Sequence, residues 1–308
     1  MNAVYTKGLK MQFDDNQTLI LRINITDYFF PWLNKSNIFP CYKGNINYIE
    51  RFLNKICTCF HYSCGITFSE WKNKVSNARR VILFDYGYSS LITKYIKAVN
   101  KKCIVHLYCF NVMSADFSQQ VINDRNIDYI WSFDPGDVDK YGICFNTAMY
   151  SLNLFKDPVK GKSNKVVFVG AAKNREKHIL DLKYSIESAG GFTDFHIIRS
   201  NKEYMSYSKY LSLIDASDCI LDVTKEGQLG LTLRFMESIF LSKKLITNNI
   251  EVKKQKFYNP NNIFIVGCDA LNDLRNFLRS DYVPIPKSLI EYYDFENWIK
   301  RFVEVEHV

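Results

Sequence analysis

The hydrophobic pattern of the chain alternates between short apolar runs and longer stretches in which apolar residues recur at helical spacing. Such short runs have the size of buried strands. In the first half they cover residues 18–25, 81–85, 103–108 and 129–133. In the second half they cover residues 165–170, 195–198, 219–223, 244–247 and 264–266. Strands that alternate with helices form a parallel sheet through right-handed crossovers, so the pattern predicts an α/β protein.

The stretches between these runs predict helices. They cover residues 45–61, 68–80, 90–99, 115–125, 176–188, 206–214, 231–241, 269–278 and 296–303. The first predicted helix carries Ile49, Phe52 and Ile56 on one face. The second places Trp71 among lysines and arginines. This composition suits either a solvated face or a contact with an anionic membrane.

A linker divides the pattern into two halves. Residues 150–164 have a linker composition, with a proline, a glycine and several lysines, and the alternation starts again after them. We therefore predict two Rossmann-like βαβ domains that face each other across a cleft. The domains span residues 1–155 and 156–290, and residues 291–308 form a C-terminal helix in a position to cross back to the first domain.

Composition and charge narrow the class of protein. The chain is 47% hydrophobic and 23% charged, as is usual for a globular protein. The formal net charge of +8 suits anionic partners without choosing among them. No secretory signal is visible and several of the nine cysteines lie in apolar runs, so we expect a reduced, cytoplasmic protein. No apolar run has the length of a membrane span, which leaves at most peripheral contact with the inner membrane.

The most informative stretch is residues 217–249, which we interpret as strand, glycine-bearing loop, helix and strand. Arg234 and Glu237 interrupt the apolar pattern of the helix. Charged groups in such a position need a partner or a ligand. A helix that begins behind a glycine loop is also a favourable site for phosphate, because its free N–H groups point at the anion. An ion pair on an exposed helix face is the alternative.

A second cationic loop follows the strand that ends at Gly170. Lys173 and Arg175 lie in the turn between this strand and the next helix, where ligands of α/β sheets bind. The loop matches neither the dinucleotide-binding fingerprint nor the phosphate loop of nucleotide triphosphatases. This weighs against a dehydrogenase or a kinase. A surface loop with two solvated cations is the alternative interpretation.

Carboxylates after strands are the candidate catalytic and metal groups. Asp85 ends a predicted strand, where catalytic side chains of parallel sheets lie. Asp137 and Asp139 form a D-x-D triplet, a weak alternative site for a divalent metal. Because the triplet stands where a helix begins, and acidic residues are common there, we expect no metal or other cofactor.

The segment EGQLGLTLRFMESIFLSKKLIT, residues 226–247, resembles GT-B glycosyltransferases, in particular the bacterial enzymes that build lipopolysaccharide, O-antigen and capsule. Residues 227–237 carry their G-x-x-G-L-x-x-R-x-x-E pattern. The resemblance is good over residues 160–266, weaker over 80–150 and absent from the first 80. It implies that the phosphates contact Gly170, Lys173, Arg175 and Arg234. It implies that the nucleotide is lined by Glu226, Gly227, Gly230 and Leu231, and that Glu237 binds the ribose.

The resemblance implies a sugar transfer from a nucleotide-diphosphate sugar, for which a UDP-sugar is the expected donor. The acceptor is a hydroxyl of a growing surface glycan, free or linked to lipid, held by the first domain, and nucleic acid is not an expected partner. Retaining enzymes often carry a glutamate eight positions before the one at 237, where this chain has Leu229. We therefore expect an inverting, metal-independent transfer with Asp85 as the general base.

Two other functions remain compatible with the sequence. One is a nucleotide-sugar-processing enzyme of the same fold, such as an epimerase. The other is a non-catalytic module that binds nucleotide sugars.

Overall fold

The computed structural model describes residues 17–22, 37–59, 63–158, 163–171, 173–200, 203, 205–225 and 227–306. Two parallel sheets, of six and five strands, organise these residues, and helices connect the strands. The predicted α/β class is therefore confirmed. The end of the first predicted strand, residues 23–25, and Glu226 lie outside the described residues, as does the side chain of Lys173.

The first sheet has the strand order β2-β1-β3-β4-β5-β6. Its strands are β1 Thr18–Arg22, β2 Ile38–Pro40, β3 Arg80–Phe84, β4 Ile104–Cys109, β5 Tyr129–Ser132 and β6 Cys144–Phe145. Its helices are α1 Tyr48–Cys59, α2 Ser90–Val99, α3 Ala115–Ile122 and α4 Pro135–Tyr141. The three central strands consist almost wholly of buried residues, because helices or loops cover both faces of the sheet.

The second sheet has the strand order β11-β10-β9-β7-β8. Its strands are β7 Lys165–Ala171, β8 Phe192–Ile198, β9 Cys219–Asp222, β10 Lys244–Thr247 and β11 Ile263–Ile265. The remaining helices are α5 Glu176–Ser188, α6 Tyr207–Asp215, α7 Leu233–Phe240, α8 Leu274–Arg279, α9 Lys287–Glu291 and α10 Phe295–Val305. No helix in these described ranges is long and apolar enough to cross a bilayer.

Both sheets share one topology. In each, the second strand lies on one side of the first strand and the third strand lies on the other side. The chain therefore changes direction between β1 and β3 in the first sheet, and between β7 and β9 in the second. In open α/β sheets, ligands bind outside the carboxyl ends of the strands at such a switch point.

The predicted helix over residues 68–80 is wrong. Two short 3-10 turns, Glu70–Asn73 and Val75–Asn77, occupy most of this segment, and Arg80 already belongs to β3. Trp71 is fully buried, and its indole N–H donates to the carbonyl of Cys41 at 2.8 Å. Neither alternative for this stretch, a solvated face or contact with an anionic membrane, holds for Trp71, because its ring belongs to the core of the first sheet.

The C-terminal helix α10 covers one face of the first sheet. Its Trp298 stacks on Phe84 of β3 with ring centroids 5.9 Å apart, and Phe302 packs on Trp131 of β5 at 4.6 Å. The chain thus passes through the second sheet and returns to the first.

A buried charge cluster holds the C-terminal end of α10 against the first sheet. Glu306 accepts hydrogen bonds from Nε and Nη2 of Arg80 at 2.6 and 2.9 Å, and its Oε1 lies 3.0 Å from Nε2 of His106. The other ring nitrogen of His106 accepts from the indole of Trp131, so the proton sits on Nε2 and donates to Glu306. Burial alone would raise the pKa of Glu306, but Arg80 and His106 outweigh it and lower the pKa to about 2.

The Glu306 cluster yields a stability prediction. We expect Glu306→Gln to lower the free energy of unfolding by about 3 kcal/mol at pH 7, because it leaves the buried Arg80 without a counter-charge. The pKa of Glu306 falls on folding from 4.5 to about 2, so its contribution is complete above pH 4.5 and is lost as the pH falls through 2. Urea unfolding at neutral and acidic pH measures both effects.

Glu304→Gln is the matched control, because Glu304 is exposed on the same helix. It should unfold like the parent chain at every pH. Equal urea midpoints for the two variants at pH 7 would contradict the stabilising role of Glu306.

Candidate functional site

A cavity of about 240 Å³ lies at the carboxyl ends of the strands of both sheets. From the first sheet it is lined by residues that follow β3, β4 and β5, among them Tyr86, Asn111 and Phe133. From the second it is lined by polar and cationic residues that follow β7 and β9, among them Arg175, Thr224, Lys225, Gln228, Thr232 and Arg234. The cavity therefore occupies the position at which the topology predicts a ligand.

Arg234 is held at the switch point of the second sheet. It is the second residue of α7, and its Nη2 donates to the carbonyl of Val169 in β7 at 2.5 Å. Its Nη1 lies 3.4 Å from Oδ1 of Asp222, the last residue of β9. The guanidinium also lies over the ring of Phe168, 5.3 Å from its centroid. Its Nε has no hydrogen-bond partner among the described residues, so an acceptor from a ligand would complete it.

Asp222 is fully buried and organises the polar end of β9. Besides Arg234, it accepts from the hydroxyls of Thr232 at 3.1 Å and Thr247 at 3.3 Å. Burial raises the pKa of Asp222, and the positive charge of Arg234 opposes that rise. Asp222 is not among the predicted site residues, because the predicted strand runs on to residue 223. In the structure it is the last residue of β9, and the placement rule for the carboxyl ends of strands covers it as it covers Asp85.

Gly170 makes room for this arrangement. A Cβ at position 170 would lie 2.5 Å from Nη2 of Arg234, so a larger residue would displace the guanidinium. Gly170 thus sets the position of a cation, and its own predicted contact with phosphate stays a prediction.

Arg175 provides a second cation beside Arg234. Its Nη1 donates to the carbonyl of Val223 and its Nη2 to that of Ala171 at 3.2 Å, while its Nε has no partner among the described residues. Burial and the neighbouring charge of Arg234 lower the pKa of Arg175. An anion between the two guanidinium groups would relieve this repulsion. Lys225, which lines the same cavity, adds a third positive charge.

The glycine loop before α7 is bound by a carboxylate of the first half. Oδ2 of Asp134 accepts from the backbone N–H groups of Leu229 at 2.9 Å and Gly230 at 2.8 Å. Its Oδ1 caps α4 by accepting from Gly136. The N–H of Gly230, which the resemblance places beside the nucleotide, therefore already has an anionic partner.

The glycine loop passes so close to Phe133 that position 230 requires a glycine. A Cβ at position 230 would lie 2.6 Å from the ring of Phe133 and 2.8 Å from its carbonyl. The helix α7 begins at Leu233, two residues later than predicted, and Leu231 lines the cavity. Gly227 has a φ of +78°, which favours glycine in the turn.

Glu237 lies away from the cavity lining and is fully buried. Its two oxygens accept from the hydroxyls of Tyr207 at 2.9 Å and Tyr210 at 2.6 Å. Burial raises the pKa of Glu237 to about 7. A contact with ribose stays a prediction, and the ribose would have to replace one of the tyrosine hydroxyls.

Asp85 follows β3 directly and lies next to the cavity lining. Its Oδ2 accepts from the backbone N–H of Asn111 at 3.1 Å and from the side-chain amide at 3.0 Å, and its Oδ1 accepts from the N–H of Tyr86. Both neighbours line the cavity. Burial raises the pKa of Asp85, and these hydrogen bonds oppose the rise.

The D-x-D carboxylates are not brought together. Asp137 is buried and accepts from the backbone N–H of Met113 at 3.0 Å and the hydroxyl of Ser132 at 2.9 Å. Asp139 is exposed on the same short helix. Within the described ranges, no group of three or more histidine, cysteine, aspartate or glutamate side chains is arranged to hold a metal ion.

Comparison with known proteins finds similarity among solved structures. No protein-family model matches the chain, and no curated protein matches it. It is similar to the crystal structure of accessory secretory protein 1, 2 and 3 in Streptococcus pneumoniae, with 8% identity and a TM-score of 0.40 over 76% of this chain and 56% of that one. It is also similar to NAD⁺-bound 3-phosphoglycerate dehydrogenase in Entamoeba histolytica, with 12% identity and a TM-score of 0.22 over 90% of this chain and 95% of that one. At these TM-scores, neither similarity supports a conclusion about function.

Proposed function

We propose that the chain is an inverting glycosyltransferase of the GT-B type, which transfers a sugar from a nucleotide-diphosphate sugar to a hydroxyl of a bacterial surface glycan. The observation that carries the proposal is the cavity at the carboxyl ends of both sheets. One wall presents Arg175, Lys225 and Arg234, and Asp85 lies beside the opposite wall. The pattern of residues 227–237, which resembles that of GT-B enzymes, supports the same assignment.

The cationic wall suits a diphosphate. Guanidinium groups bind phosphate oxygens through directed hydrogen bonds. At this wall, the Nε atoms of Arg175 and Arg234 have no partner among the described residues. Arg234 is held by Val169 and Asp222, so little reorganisation is needed when negative charge develops on the leaving diphosphate. This side of the cavity takes the donor, which we propose to be a UDP-sugar.

Asp85 is the proposed general base. Its carboxylate accepts the proton of the acceptor hydroxyl as that oxygen attacks the anomeric carbon and the bond to the diphosphate breaks. Burial raises the pKa of Asp85, which makes the carboxylate a stronger base than one in water. Asn111 holds Oδ2 from two donors and so orients the carboxylate at the cavity wall.

Nucleotide binding is the first test of the proposal. We expect UDP to raise the melting temperature of the chain, because a ligand that binds only the folded state stabilises it. GDP, CDP and CMP should raise it less, because the proposed donor is a UDP-sugar. A labelled UDP-sugar should then lose its sugar to an acceptor. Release of an epimer would instead identify an epimerase, and no shift with any nucleotide would overturn the proposal.

Arg175 gives a sharper test of the donor wall. We expect Arg175→Gln to weaken UDP binding about 10- to 100-fold in calorimetry, because it removes a charge-assisted hydrogen bond to phosphate. Arg199→Gln is the control, since Arg199 pairs with Glu176 on the exposed surface of the same half. Unchanged affinity in Arg175→Gln, or an equal loss in both variants, contradicts the site.

Asp85 tests the chemistry separately. We expect Asp85→Asn to reduce the transfer rate at least about 100-fold while the affinity for UDP stays within twofold, because the amide accepts no proton. In the parent chain, kcat/KM should rise with pH through the raised pKa of Asp85 and then level off. An active Asp85→Asn variant would exclude Asp85 as the base.

Asp134 offers a test of how the halves are coupled. We expect Asp134→Asn to speed hydrogen exchange at the N–H groups of Leu229 and Gly230 at least about tenfold and to weaken UDP binding, because the loop loses its charged acceptor. Asp137→Asn is the matched control, since Asp137 lies on the same helix but bonds only within the first half. Equal exchange at both amides in the two variants would show that Asp134 does not hold the loop.

A further inference from the structure

Helix α1 presents its apolar face to the outside of the protein. The exposed fractions of its large apolar side chains are 84% for Tyr48, 68% for Ile49, 56% for Phe52, 42% for Leu53 and 39% for Ile56. At 100° per residue these five positions fall on one side of the helix. An amphipathic helix of a globular protein normally turns this side towards the core.

The polar side of α1 faces the rest of the protein instead. Oε1 of Glu50 lies 2.7 Å from Nζ of Lys43, and Oδ1 of Asn54 accepts from the hydroxyl of Thr67 at 3.4 Å. The orientation of the helix is therefore set by polar contacts with the segments on either side of it. Within the described part of the chain, this attachment leaves the apolar side exposed and available to an outside partner.

The charges around the apolar face are mostly positive. Arg51 and Lys55 are exposed and, on a helical projection, border the apolar side next to Tyr48. Lys72 and Lys74 lie in the neighbouring 3-10 region. The two carboxylates among described residues 37–74 are those of Glu50 and Glu70, which bond to Lys43 and Asn73. Aromatic and aliphatic side chains with a cationic border match the surface of an anionic bilayer.

We propose that α1 is a docking surface for anionic lipid bilayers. Tyr48, Ile49, Phe52, Leu53 and Ile56 enter the boundary between headgroups and acyl chains, and Arg51 and Lys55 lie at the level of the lipid phosphates. A symmetric contact with a second copy would bring the same cations close together, which favours the bilayer over self-association. The proposal does not depend on the proposed transferase activity, because it uses no residue of the cavity.

Vesicle sedimentation tests the proposal with the full chain. We expect binding to phosphatidylcholine vesicles that contain about one third phosphatidylglycerol and little binding to pure phosphatidylcholine, because anionic headgroups attract the cationic border. The bound fraction should fall as salt rises, since exposed charges are screened. Failure to bind the anionic vesicles would overturn the proposal.

Two pairs of substitutions separate the apolar and cationic contributions. Ile49→Glu with Phe52→Glu should weaken binding to the anionic vesicles at least about tenfold. Arg51→Gln with Lys55→Gln should weaken it about fivefold per removed charge. These side chains are exposed, so the melting temperature should change little.

The matched control is Leu180→Glu with Tyr184→Glu, which changes two exposed apolar residues of α5 in the other half. It should bind vesicles like the parent chain, and an equal loss of binding would overturn the assignment to α1. Light scattering after size-exclusion chromatography tests whether a second copy of the chain binds this face instead. A dimer of the parent chain that Ile49→Glu with Phe52→Glu dissociates would show that a second copy covers this face.

Discussion

The carboxylate of Asp134 is a buried polar contact between the two halves, which also share a hydrophobic core. It is almost fully buried, yet no cation is needed to balance it, because three backbone N–H groups donate to its oxygens. One of these belongs to its own helix and two to the glycine loop of the other half. A buried carboxylate is costly unless its hydrogen bonds are complete, so Asp134, Leu229 and Gly230 must keep their relative positions. The loop that begins the cationic wall is thereby fixed to the first sheet.

The carboxylates around the cavity are more completely hydrogen-bonded by the protein than the guanidinium groups are. Asp222, Asp134 and Asp85 each accept at least three hydrogen bonds from the protein, so their charges are already compensated. Arg175 donates to two carbonyl oxygens, which carry no full charge, whereas Arg234 donates to one carbonyl and to the carboxylate of Asp222. The Nε of each arginine has no partner among the described residues. The outcome is a cavity with surplus positive charge, and this surplus is the physical basis of the proposed diphosphate site.

Helices α1 and α10 are both amphipathic, but they turn their apolar sides in opposite directions relative to the core. Both carry apolar residues along one side, and in α10 that side is buried, with Trp298 and Phe302 packed on the first sheet. In α1 the corresponding side is exposed, and the polar side faces the protein. The two helices differ in the contacts that hold them to the rest of the protein. Glu306 anchors α10 through Arg80 and His106, whereas Glu50 and Asn54 anchor α1 by its polar side.

Local periodicity by itself determined the fold class, because each strand and helix leaves its own repeat in the sequence. It placed α2, α5 and β10 at their observed bounds, and it placed Asp85 and Arg175 after strands, where parallel sheets bind ligands. It failed over residues 68–80, where the chain forms two short 3-10 turns and buries Trp71. Tertiary structure alone decided that Asp134 binds the glycine loop 95 and 96 positions away, that two tyrosines surround Glu237, and that α1 faces outward. These contacts join residues far apart in the chain, and no repeat within one segment encodes the partner in another.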